Sequence, residues 1–257
     1  MANIASLYKL RVFSLHDVMS CLGMTHSAAA GALVRWQEHG FIKMVRRNLY
    51  VVIDLTTEAP IADKYELASC ISPTSYVGWH TALEFHGVAH QPFYNVYVGN
   101  GKRFNNFHFD GINYEYCISP LEVSEKNGII SPNANPYIRV SNLERTIVDC
   151  CDRIDRAGGA EELLHCIEGI TLLNESKLAD YLASYGKAFL YQKVGFILEQ
   201  SRNSHHISED FVEMCRQIGA IHTKRLTNSD DSNKFVSHWK LYVPQILLAG
   251  NNNYELI

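Results

Sequence analysis

Arg46 and Arg47 stand side by side between two β-rich runs, residues 42–45 and 49–53, with Asn48 completing the turn. Paired guanidinium groups at a solvated turn suit phosphate oxygens, because each presents a planar fork of N–H donors and keeps its charge at physiological pH. Asn48 is among the few non-glycine residues that tolerate the positive φ a tight hairpin demands. The chemistry on offer is contact with a polyanion rather than bond making.

Bond-making chemistry has less behind it. His80, His86 and His90 cluster in sequence, and His86 and His90 have i, i+4 spacing, but Gly87 is expected to end the helix between them. No nearby Asp, Glu or Cys completes a ligand set in the sequence, so no metal and no cofactor are expected. His205 and His206 read as a turn pair. "SDDSN" at 229–233 reads as an exposed turn, and "YEYC" at 114–117 lacks a partner Lys, so neither makes a convincing Mg²⁺ site. Phosphate-binding loops, nucleophile elbows and the H-E-x-x-H zinc motif are missing from the sequence. A non-enzyme is the expectation. The alternative is a DNA-associated nuclease or nucleotidyltransferase-like enzyme with a divergent acidic site, and a third reading is a small-ligand sensor.

The elements that position the arginine pair are legible. "FSLHDVMSCLG" places Ser14 as an N-cap, then Leu15, Val18, Met19 and Leu22 at helical spacing, then Gly23 as a stop. After about three residues of turn, Thr25 caps a second helix with Ala29, Leu33 and Trp36 on one face and Gly40 beyond its end. Helix, turn, helix and hairpin follow one another in winged-helix order. The opposite face of the second helix carries His26, Ser27, Ala30 and Gly31, with Arg35 further along, small or hydrogen-bonding residues that fit a major groove. Thr25, His26, Ser27, Ala30, Gly31, Arg35, Lys43, Arg46, Arg47 and Asn48 are therefore the candidate DNA-binding residues.

Charge agrees with that placement. The chain has 257 residues and a net charge of −4, yet residues 1–54 hold six Lys or Arg against three Asp or Glu, a net of +3 that leaves −7 for the rest. Seven scattered cysteines with no C-x-x-C pair read as reduced thiols. The longest apolar runs fall short of the roughly 20 residues a bilayer span requires, and the opening residues do not read as a signal peptide, so a cytoplasmic protein is expected.

Beyond a boundary placed near residue 58, the sequence predicts a helix over 75–86 and three strands at 94–98, 104–109 and 114–118 in an antiparallel meander. It then predicts a strand leading into a helix whose capping box is Ser141 and Glu144, followed by four amphipathic helices. "KLYVPQIL" is expected to return a strand, and "AGNNNYELI" to be a polar tail. The fold class expected is α+β: a winged helix-turn-helix domain at 1–58, then a larger domain at 59–257 with a small antiparallel sheet and several helices.

Taken together, "FSLHDVMSCLG", "AAAGALVRWQEHGFIKMVRRNLYVV", "SYVGWHTALEFHGV", "SNLERTIVDCC" with "GGAEELL" after it, and "KVGFILEQ" resemble, in order, the motifs of the AbiEi-type antitoxins of bacterial abortive-infection operons. The likeness runs over roughly residues 10–200. It implies an autorepressor whose N-terminal domain binds inverted repeats of double-stranded DNA in its own promoter. It also implies a C-terminal domain that counters a nucleotidyltransferase-like toxin without a stable complex, in a monomer or weak dimer. The resemblance puts the recognition helix at 25–39 and the wing at 42–53. This chain departs from the pattern at Asn48, where Gly is usual, and at Trp36, where a smaller aliphatic is common. "TALEFHG" and "LERTIVD" are mostly apolar at helical spacing and read as packing motifs.

Overall fold

The computed structural model describes residues 5–201, 206–228 and 232–248. His205, residues 229–231 of the "SDDSN" turn and the tail at 249–257 lie outside the described residues. The chain is a mixed α+β protein forming two compact units, one from Met1–Val77, Tyr94–Ile118 and Ser131–Arg139, the other from Gly78–Phe93, Ser119–Ile130 and Val140–Ile257. The first unit thus runs past the boundary expected near residue 58 and takes in strands from further along the chain. No helix among the described residues is long and apolar enough to cross a membrane.

The first unit opens with α1 (Ala5–Leu10), β1 (Val12–Phe13), α2 (Leu15–Leu22), α3 (His26–Glu38), β2 (Ile42–Arg46) and β3 (Leu49–Val52). Ser14 caps α2 in a full capping box, its hydroxyl accepting the Asp17 N–H while the Asp17 carboxylate accepts the Ser14 N–H. Gly23, left-handed at φ 61°, ends that helix, and Thr25 caps α3 by accepting the Ala28 N–H. Ala29, Ala32, Leu33 and Trp36 line the buried face of α3 and pack with Phe13, Val18, Ile42 and Val52. These contacts fix how α3 sits against the hairpin. β1, only two residues long and unmarked by any alternation of its own, adds to the hairpin in the order β1-β3-β2.

Later strands complete this unit. After α4 (Lys64–Ser69) come β4 (Tyr76–Val77), β5 (Asn95–Asn100), β6 (Phe107–Phe109) and β7 (Ile112–Ile118), in the order β6-β7-β5-β4. The expected antiparallel meander is corrected to a mixed sheet, because β5 and β7 pair in parallel, from Asn95 with Asn113 to Asn100 with Ile118. The physical reason is placement: the tight β6–β7 hairpin puts β6 on the outer edge of β7, leaving β7 against β5 in the same direction. The helix expected over 75–86 is also shorter. Tyr76 and Val77 are fully buried and pair with Gly99 and Val98, and the Tyr76 ring occupies the space a side chain at Gly99 would need.

The second unit holds α5 (Trp79–Phe85), β8 (Ile129–Ile130), β9 (Val140–Ser141), α6 (Leu143–Asp152), α7 (Ala160–Glu168), α8 (Glu175–Tyr185), α9 (Ala188–Gln200) and α10 (Glu209–Gly219). It ends in β10 (Lys224–Arg225), β11 (Asn233–Val236) and β12 (Leu241–Pro244), the last within the "KLYVPQIL" segment read as a strand. The cap of α6 falls one residue later than expected: Asn142 accepts the Arg145 N–H at 2.9 Å, while Ser141 belongs to β9 and meets the Thr146 hydroxyl at 2.7 Å. Arg145 and Asp149 of "LERTIVD" form a buried pair, Nε to Oδ1 at 2.7 Å, and a further N–H of Arg145 is accepted by the Asn127 carbonyl. That motif holds the core together. All seven cysteines are free thiols, and five are buried.

Candidate nucleic-acid interface

The outward face of α3 is open. Thr25, His26, Ser27 and Arg35 are exposed, Ala30 and Gly31 are half-buried, and Val34 is 55% exposed between them. Gly31 matters through what lies over it, since a Cβ there would sit 3.4 Å from Nη1 of Arg35. The small residues at 30 and 31 therefore leave a shallow surface along which Arg35 lies. Arg35 is exposed and forms no ion pair among the described residues.

The hairpin divides the arginine pair. Asn48 has φ 60° as its turn requires, but Arg47 does not share the positive φ, so this is not the two-residue mirror-image turn; a bulge between Met44 and Arg46 supplies the extra twist. Asn48 Oδ1 also accepts the Leu15 N–H at 3.1 Å, which ties the turn to the start of α2. Arg47 is exposed. Arg46 is not offered outward in the same way: its guanidinium carbon lies 5.3 Å from the ring centroids of both Phe104 and Phe107. Its Nη1 is buried and finds no hydrogen-bond partner among the described residues. The electron-rich ring faces offset that cost. Lys43, at the base of the hairpin, donates to the Glu58 carbonyl at 3.3 Å.

Arg46, Arg47 and Asn48 border a cavity of about 750 Å³ that also draws on Lys9, His16, Lys102, Arg103 and Arg139. Asp17 is the sole carboxylate in its lining, and it is engaged by Ser14. Two of the basic groups nearby are structural. Arg139 donates to the carbonyls of Ser69, Ser72 and Ser75, and burial lowers its pKa. Arg11 reaches both carboxylate oxygens of the buried Glu66, at 2.8 and 3.0 Å, and that hydrogen bond raises its pKa further. Lys9, Arg47, Lys102 and Arg103 form no ion pair among the described residues, so these four leave positive charge uncompensated along the cavity.

No family model and no curated protein matches this chain. A solved structure does, the crystal structure of RV2827C protein from Mycobacterium tuberculosis, with a TM-score of 0.68 over 97% of this chain and 92% of that one at 13% identity. The likeness is one of fold.

Of the ten residues singled out from sequence, seven lie on open surface: Thr25, His26, Ser27, Arg35, Lys43, Arg47 and Asn48. Ala30 and Gly31 shape that surface, and Arg46 packs beneath it. Val34, Lys102 and Arg103 were missed. Val34 shares the face of Ala30 at i+4 and was legible from helical spacing alone. Lys102 and Arg103 follow β5, and only the tertiary fold brings them to the cavity beside the hairpin.

Proposed function

We propose that the protein is a sequence-specific DNA-binding repressor whose first compact unit acts as a winged helix-turn-helix, in the manner of the AbiEi-type antitoxins. The observation that carries this reading is the open face of α3, kept shallow by Ala30 and Gly31 and accompanied in the same unit by cations that form no ion pair among the described residues. In this account α3 enters the major groove. Arg35 is suited to the O6 and N7 acceptors of guanine, His26 and Ser27 to polar base edges, and Ala30 and Val34 to the thymine methyl. Arg47, Lys102 and Arg103 contact phosphates and set the register without reading sequence.

The sequence resemblance supports an autorepressor acting on inverted repeats in its own promoter. It also supports a second unit that counters a nucleotidyltransferase-like toxin without stable association. A reporter driven by the native promoter tests the repressor function. The chain supplied in trans should silence it, and Ser27→Glu together with Arg35→Ala should restore expression while the protein remains folded. Silencing by the double variant at wild-type strength would remove α3 as the reading element.

A further inference from the structure

Three polar side chains meet inside the second unit. His80 on α5 is fully buried, and Glu162 and Cys166 sit at i, i+4 on one face of α7, so both point at it. One ligand atom from each lies within 4.8 Å of the others. His80 Nε2 is 3.0 Å from Glu162 Oε1, and the Cys166 sulfur is 3.3 Å from the same oxygen. A fourth group reaches in from the loop after α5: His90 Nδ1 is 3.7 Å from Glu162 Oε2. From sequence, the histidine cluster lacked an acid or thiol, and α7 supplies both. His86 is not part of the set, because its Nε2 is 2.7 Å from the Ser141 carbonyl.

We propose that His80, His90, Glu162 and Cys166 form a binding site for a zinc-class divalent transition metal ion. Two nitrogens, a carboxylate and a thiolate suit Zn²⁺. With metal–ligand bonds of about 2.0–2.3 Å, the edges of a tetrahedron are about 3.3–3.8 Å; the 3.0 and 3.3 Å from Glu162 Oε1 to His80 and Cys166 lie near that range, and the exposed His90 side chain would swing in as the fourth ligand. Burial of His80, Glu162 and Cys166 excludes competing water, while His90, 66% exposed on its side chain, gives the ion a route in. In the metal-free arrangement Glu162 accepts hydrogen bonds from His80, the Cys166 thiol and the backbone N–H groups of His90 and Gln91. On binding, the thiol proton leaves to solvent and the sulfur lone pair bonds the metal. The His80 proton moves from Nε2 to Nδ1, which has no partner among the described residues. Burial pushes the Cys166 thiol up to about 12, so without metal it stays protonated and inert. The ion would clamp α5 and its following loop to α7. It shares no residue with the proposed DNA surface, and its test does not involve DNA.

The full chain, purified and freed of metal with a chelator, is titrated with Co²⁺ as a spectroscopic substitute for zinc. One equivalent should produce a thiolate-to-cobalt band in the near ultraviolet and visible bands of tetrahedral intensity, both abolished by Zn²⁺. Cys166→Ser should remove the near-ultraviolet band. His90→Ala, at a side chain 66% exposed, should keep that band but weaken cobalt binding about tenfold or more. No band with the wild type, an undiminished band in Cys166→Ser, or unchanged affinity in His90→Ala would overturn the proposal.

Discussion

Asn48 accepts the backbone N–H of Leu15 at 3.1 Å, so the residue that makes the hairpin turn also caps the start of α2. The two roles are separable. Asn48→Gly keeps the positive φ and loses the acceptor, and should cost about 1 kcal/mol in urea unfolding. Asn48→Ala also forces a Cβ into the left-handed region and should cost about 1 kcal/mol more. Equal stability of the two variants would remove the conformational half of this account.

The neighbouring arginines should respond differently to truncation. Arg47→Ala is expected to leave stability unchanged and reduce the log–log salt slope of DNA binding by about one. Arg46→Ala should instead lower stability by about 1 kcal/mol, because it strips a partly buried guanidinium from Phe104 and Phe107. Lys102→Ala with Arg103→Ala should remove about two units of slope and leave the preference for the operator intact. Salt titrations beside thermal melts check all three. Matching slopes and melts for the Arg46 and Arg47 variants would contradict the division between them.

His86 gives stability a pH dependence. Burial lowers its pKa below the ordinary value of 6.5, so the folded state binds the proton less readily than the unfolded chain. Its contribution is complete above about pH 6.5 and is lost as pH falls through the depressed folded value. His86→Gln retains a donor toward the Ser141 carbonyl but cannot titrate. The stability difference between wild type and variant should shift against wild type on acidification from pH 7 to 5. A difference constant over that range would refute this.

Close packing in the second unit depends on Gly219. A Cβ there would lie 2.3 Å from the backbone nitrogen of Gln192, so α9 and α10 must part for any side chain to fit. Gly219→Ala should cost about 3 kcal/mol. Gly101→Ala, with nothing within 4 Å, should be neutral within about 0.5 kcal/mol. Denaturant midpoints of the pair read the contrast directly.

Features set by local chemistry were legible in the sequence. Ser14, Gly23 and Thr25 act within four residues of themselves, and Ala29, Leu33 and Trp36 declare their face by spacing. Pairing between distant segments was not, because the direction of β5 against β7 depends on where β6 docks and not on the residues of either strand. The same holds for the sites. Arg46 and Arg47 are identical in type, and only Phe104 and Phe107, about sixty residues away, distinguish them. His80 and Cys166 are eighty-six positions apart, and their meeting required α5 and α7 to be placed.

Fluorescence anisotropy with a duplex from the native promoter and a scrambled duplex of equal composition, in buffer without added divalent metal, tests the central claim most directly. A preference for the promoter of about a thousandfold or more is expected at physiological salt, with affinity falling steeply as salt rises. Equal binding to both duplexes, or no binding to either at low salt, would contradict it.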